Sequence, residues 1–275
     1  MALLLTKLLL APLCVIAISM AGRRWGVAAA GLLGGLPAVA GPILLVVTLI
    51  HGSAFGATAA AGTLLGLAAL TTFVVVYGRL ATLSAGPAPS VLIGWTSFLL
   101  CVGFLTLFDP PPGASLLVVG AGFAVAMRLL PPPPAHPPLS NVLPWWDLPA
   151  RGLAALALVV ALTTVSGALG PQLSGLLAPF PIITSVLAVF THAHGGVEQV
   201  RVLLRNFLVG FYGYATFCFV LAIGLPSLGV GLAFGLALVS ALAVQAVTFV
   251  LRSRLGEARG ARARRRREEL PAESA

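Results

Sequence analysis

The sequence predicts an all-α, polytopic transmembrane helical bundle of about nine spans. Hydrophobic residues make up 59% of the 275 positions and charged residues only 8%. A soluble domain carries about 25% charged and roughly 45–50% apolar residues. Too few charges remain to build a water-facing surface, which excludes a soluble enzyme, a disordered chain and a secreted disulfide scaffold. The apolar runs are also unbroken, whereas the strands of a membrane barrel would alternate polar and apolar side chains.

A helix crossing the bilayer needs about 20 mostly apolar residues, within a range of roughly 17–25. Cutting at charges and at Gly/Pro turns gives spans over 3–21, 34–51, 56–77, 91–108, 114–130, 152–169, 173–191, 202–223 and 228–251. The first could pass for a signal peptide. However, Leu13 stands before Cys14, and the run reaches Ala21 without a small-x-small cleavage site, so it reads as a retained span. Arg23 and Arg24 end it, the Asp109–Gly113 run ends the fourth, and Leu225, Pro226 and Ser227 separate the last two. Four consecutive prolines from Pro131 cannot continue a helix, so 131–149 reads as a linker. Trp145 and Trp146 follow, where indoles favour the headgroup layer.

The expected organisation is therefore a first membrane repeat with an extra span over 1–130, the linker over 131–149, a second repeat over 150–251 and a disordered basic tail over 252–275. That tail carries 8 Arg and 4 Glu. Arginine beside a last span marks the cytoplasmic side and touches anionic lipid headgroups, a better reading than nucleic-acid binding. Arg23 and Arg24, Arg79, Arg128 with Arg151, Arg201 with Arg205, and the tail all follow odd-numbered spans. The loops after the even-numbered spans carry neither Lys nor Arg. This alternation predicts an N-terminus outside and a C-terminus inside the membrane, with Lys7 as the dissenter. The partners expected are the bilayer, anionic headgroups and a second copy of the chain. Cys14, Cys101 and Cys218 stand far apart in apolar runs and read as packing residues.

A faint duplication accompanies this pattern. Shifting the chain by 139 residues lays the segment from Pro42 over that from Pro181, with 7 of 25 positions identical. Both segments run from a Gly/Pro-interrupted span through a His- and Gly-containing loop into a long helix. The two interrupted spans are the second and the seventh, so an odd offset makes the halves cross in opposite directions. Inverted repeats are an architecture of secondary transporters, whose sites form where interrupted helices meet. Helix breaks are expected at Pro42, Pro179 and Pro181, with Pro37 freeing a further carbonyl.

The segment from Ser174 also shows Gly175–Leu176, the Phe180–Pro181 pair, an apolar run to His192, Gly195–Gly196, and a helix entered by Arg201. In these features it resembles the GlpM-like family of small bacterial inner-membrane proteins. The resemblance covers about 50 residues closely, and implies a helical inner-membrane protein of bacterial type in which that unit occurs twice. The first half departs from the pattern, with Gly41 before Pro42 and no Arg after His51.

The densest polar cluster is His192, His194, Glu198, Arg201, Arg205 and Asn206, followed by Tyr212 and Tyr214. Glu198, Arg201 and Arg205 share one helix face, where Glu198 can pair with Arg201. An arginine fork fits phosphate or carboxylate, which makes this the candidate substrate site for an anionic group. The competing reading is a positive-inside anchor with snorkelling arginines. His192 and His194 lack the companions of a metal site, so neither a metal nor a cofactor is expected. Asp109 and Asp147 are placed in loops outside the spans. No nucleophile triad, phosphate loop or paired carboxylates occur in the sequence, and no enzymatic activity is expected. The function expected is a small transporter or permease-like protein. The alternative is a non-transporting accessory subunit of an envelope or polymer-export pathway.

Overall fold

The computed structural model describes residues 2–132, 144–166 and 176–268. Among them there are helices and no strands. In chain order the helices are α1 (Ala2–Trp25), α2 (Val27–Gly34), α3 (Ala40–His51), α4 (Ser53–Thr82), α5 (Pro87–Leu105), α6 (Pro112–Leu129), α7 (Asp147–Ser166) and α8 (Ile182–Glu268). Non-helical residues at Gly196 and Gly229 bend α8 into three pieces: α8a (182–195), α8b (197–228) and α8c (230–268). Four stretches are long and apolar enough to cross a membrane: Ser53–Thr82, Pro87–Leu105, Pro112–Leu129 and Ile182–Thr248. The last of these contains both bends.

The centre of the bundle is α4 packed against α8b. In α4, 72% of the apolar window lies inside the protein, against 33% in α5 and 22% in α6. The two less buried helices therefore present their outer faces, including Leu99, Leu100, Leu117 and Val118, away from the core. In lipid such a helix would gain nothing by burying one apolar side rather than another. Close packing of small residues then decides which faces meet. That is the role of Gly31, Gly34 and Gly35 of the α2 end, which lie against Leu203, Phe207 and Gly210 of α8b. Elsewhere α1 packs along α7, and Ala11 and Val15 of the first are as fully enclosed as Ala155 of the second.

Single glycines join consecutive helices at four places. Gly26, Gly52, Gly196 and Gly229 have φ between 71° and 90° and ψ within 16° of 180°. Residues with a Cβ are essentially absent from this region. One glycine there turns the chain without a loop. This corrects the expected loops: His51 is the last residue of α3, and His192 and His194 lie within α8a. It also moves the last break. Pro226 stays inside α8b and the bend falls at Gly229.

Two further expectations shift. Pro42 is not at a break but in the first turn of α3, where proline's missing N–H has no helical partner to lose. The interruption lies before it, at 35–39 around Pro37. The interruption at Pro179 and Pro181 falls where expected, between Leu177 and Ile182. The basic tail, expected to be disordered, is helical to Glu268. Its Arg, Ala, Leu and Glu are all strong helix formers. Most of the proline-rich linker lies outside the described residues.

Candidate functional site

The predicted cluster divides among three places. Arg201 pairs with Glu198 at 2.8 Å, as the shared helix face requires, and also donates to the carbonyl of Pro132. Arg205 reaches the end of α6, where its Nη1 donates to the carbonyls of Met127 (3.1 Å), Leu130 (2.7 Å) and Pro131 (3.3 Å). The last carbonyls of a helix have no partner in the helix itself, and its C-terminus favours a cation. The Arg205 head group therefore caps α6. Asn206 donates back to Val202 within its own helix, and Tyr212 meets the ring of Phe123 edge-on at 5.0 Å.

The histidines part company. His192 is buried, with its Nδ1 3.3 Å from the Tyr77 hydroxyl. His194 Nδ1 is 3.0 Å from the carbonyl of Phe190 and 3.5 Å from Oδ1 of Asp147. No group of three His, Cys, Asp or Glu that could hold a metal occurs among the described residues.

Asp147 was expected in a loop. It is instead the first residue of α7 and fully buried. Its Oδ2 accepts from Nη2 of Arg23 and Nε of Arg151, each at 2.9 Å. The Arg151 guanidinium also lies 5.1 Å over the Phe190 ring, and Trp146 lies 5.7 Å from the His194 ring. The carboxylate thus ties α1, α7 and α8a together. The sequence signal was present: an acid opening an apolar helix, with an arginine four residues on, is a helical ion pair at the end where a negative charge is favoured.

The third place is a cavity of about 60 Å³ between the two interruptions. Leu36, Pro37, Val39 and Ala40 line it from one side, and Phe180, Ile182, Ile183 and Thr184 from the other. Tyr214 of the predicted cluster also borders it. The two interruptions are hydrogen-bonded alike. In the first, the amide of Leu36 donates to Leu33, Ala38 to Leu36 and Gly41 to Pro37. In the second, Phe180 donates to Leu177, Ile182 to Phe180 and Ser185 to Pro181. Each donor and acceptor of the second set lies 144 positions after its counterpart in the first.

The packing around the breaks repeats with the same spacing. A Cβ on Gly66 of α4 would stand 2.5 Å from the carbonyl oxygen of Leu176 and 2.8 Å from the Pro179 ring. A Cβ on Gly210 of α8b would stand 2.6 Å from the carbonyl oxygen of Leu32 and 2.7 Å from Cα of Gly35. The corresponding sequence signal is Gly-Leu-Leu followed four residues later by Pro, at Gly31–Pro37 and again at Gly175–Pro181. The 139-residue register misses it, pairing Pro42 rather than Pro37 with Pro181, and Gly66 with Arg205 rather than Gly210. No protein family, no curated protein and no solved structure matches this chain.

Proposed function

We propose that the chain is an integral membrane transporter of the permease kind, built as an inverted duplication. The observation supporting this most directly is the pair of alike helix breaks facing one cavity. Unwound segments in a membrane protein leave backbone groups that lipid cannot satisfy, and they persist where they line a cavity. Two such segments, one from each half, meeting at a common space is how substrate sites are arranged in inverted-repeat transporters.

In this reading the repeats are α1 to α5 and α7 to α8c, in the 144-residue register. The extra helix α6 reverses the direction of the second repeat. Nine crossings then leave the N-terminus outside and the C-terminus inside a bacterial-type inner membrane, and the likeness of the second half to GlpM-like proteins extends to the first. The Asp147 cluster, whose carboxylate position falls on Leu3 in the first half, closes the cytoplasmic side.

Accessibility of the cavity separates a transporter from an accessory subunit. With Cys14, Cys101 and Cys218 replaced by Ala, a single cysteine at Ala40 or Ala178 is offered membrane-impermeant thiol reagent on either side of sealed vesicles. A transporter exposes the position in turn to both sides. Reaction from one side only, or from neither, would remove the transport reading.

A further inference from the structure

We propose that the cavity between the helix breaks is a site for one small monovalent anion, held by backbone amides and hydroxyls. Both α3 and α8a begin at the cavity wall. Their first amides, those of Val39 and Ala40 in one half and of Ile183 and Thr184 in the other, donate no hydrogen bond among the described residues. Helix N-termini carry about half a positive charge and point such amides at a bound anion.

A second observation, independent of the helix ends, points to the same ligand. Thr184 and Tyr214 line the cavity and are 3% and 6% exposed. No hydrogen bond joins either hydroxyl to another described residue, and neither oxygen is sealed away from the open space beside it. Hydroxyls and backbone amides that open onto one cavity without a protein partner mark a place that water or a ligand completes. The four amides can only donate and the two hydroxyls can turn to donate, a set that suits an acceptor.

Charge and size narrow the ligand further. No Lys, Arg or His lines the cavity. Two helix ends supply roughly one unit of positive charge between them, which balances a monovalent anion and leaves a dianion in deficit. A volume of about 60 Å³ admits a halide or nitrate. That the anion is the cargo rests on the transport reading above; that it binds does not.

The test is isothermal titration of sodium chloride and of sodium nitrate into the purified full-length chain, held in detergent and sodium gluconate. Saturable binding of either ion at one per chain, unmoved by sodium sulfate, is the expected result. Thr184→Val and Tyr214→Phe should each weaken it about tenfold, the loss typical of one hydrogen bond to a charged group. Thr184→Ser, which keeps the hydroxyl, should stay within about threefold of the parent and guards against a mere folding defect. Absence of saturable binding in the parent, or equal affinity in Thr184→Val and Tyr214→Phe, overturns the site. The same ions are then followed by flux from proteoliposomes. Binding without flux keeps the site and refutes transport, while flux without binding refutes the site alone.

Discussion

Gly210 of α8b lies so close to Leu32 at the end of α2 that a Cβ on it would stand 2.6 Å from the Leu32 carbonyl oxygen. Gly66 of α4 stands in the same relation to Leu176. The neighbour in each case is rigid backbone, so an added methyl cannot be accommodated by a side chain swinging aside. Gly66→Ala and Gly210→Ala should each destabilise the protein by about 1–3 kcal/mol, the usual cost of overpacking. Gly103→Ala and Gly120→Ala supply the comparison, because nothing lies within 4 Å of a Cβ at either position. Thermal unfolding in one detergent should rank the first pair well below the second. Equal midpoints would show that the helices can separate freely at these crossings.

The junction glycines test a different cost. A Cβ on Gly52, Gly196 or Gly229 meets no atom within 4 Å. Their φ values of 90°, 71° and 73° nevertheless lie where a side chain strains the backbone. Alanine at each should cost about 1–3 kcal/mol from conformation alone. At Gly196 the strain should also disturb the angle between α8a and α8b, and with it the Tyr77–His192 contact. Hydrogen exchange across 190–200 would detect the loosening, and unchanged exchange with an unchanged midpoint would refute the assigned strain.

Asp147 makes the third prediction. Asp147→Asn preserves shape but leaves the Arg151 guanidinium, whose side chain is 6% exposed, without its counter-charge. Breaking a buried ion pair from one side costs about 3–5 kcal/mol, because the remaining charge stays desolvated. Arg23→Gln should cost much less, since that side chain is 31% exposed and its loss still leaves Asp147 paired with Arg151. The ranking Asp147→Asn below Arg23→Gln in unfolding midpoint is the outcome to look for. The reverse ranking would mean that Arg23 is the partner that matters.

Composition and unbroken apolar runs were enough to foresee an all-helical protein with membrane-length helices, because lipid permits few alternatives. Helix ends at Arg23–Arg24, at Arg79 and before Asp109 were legible for the same reason: charge and proline clusters do not continue into an apolar core. The glycine junctions were not. Gly52 after His51, or Gly195–Gly196 after His194, looks like part of a polar loop, and only the backbone angles show a turn made by one residue. Pro226 misled in the opposite sense, since proline is tolerated in membrane helices and the bend fell three residues later. The Arg205 site was read from chemistry without a partner in view. The α6 carbonyls it meets lie 74 to 78 positions earlier in the chain and carry no sequence signature. The 144-position spacing of the two interruptions does have a sequence trace, in Gly31–Pro37 and Gly175–Pro181, but it is shorter than the looser matches that start at Pro42 and Pro181.

The last prediction returns to Arg205. Its Nη1 is the meeting point of three carbonyls at the end of α6, and the helix ends there at Leu129 with a non-helical Leu130. If its role is to cap α6, a cation with any suitable donor should suffice in large part. Arg205→Lys should then keep most of the stability, because lysine still offers a charge and three donors at a helix C-terminus. Arg205→Leu should cost about 1–3 kcal/mol by leaving partly buried carbonyls unpaired. Hydrogen exchange in the last turn of α6 reads the effect directly, since fraying there should rise in Arg205→Leu and stay low in Arg205→Lys. Arg201→Lys serves as the companion, as Glu198 can pair with either side chain. Should Arg205→Lys instead leave α6 ordered but abolish uptake of an anion, the guanidinium itself is in contact with cargo, and the site extends from the helix breaks to this end of the bundle.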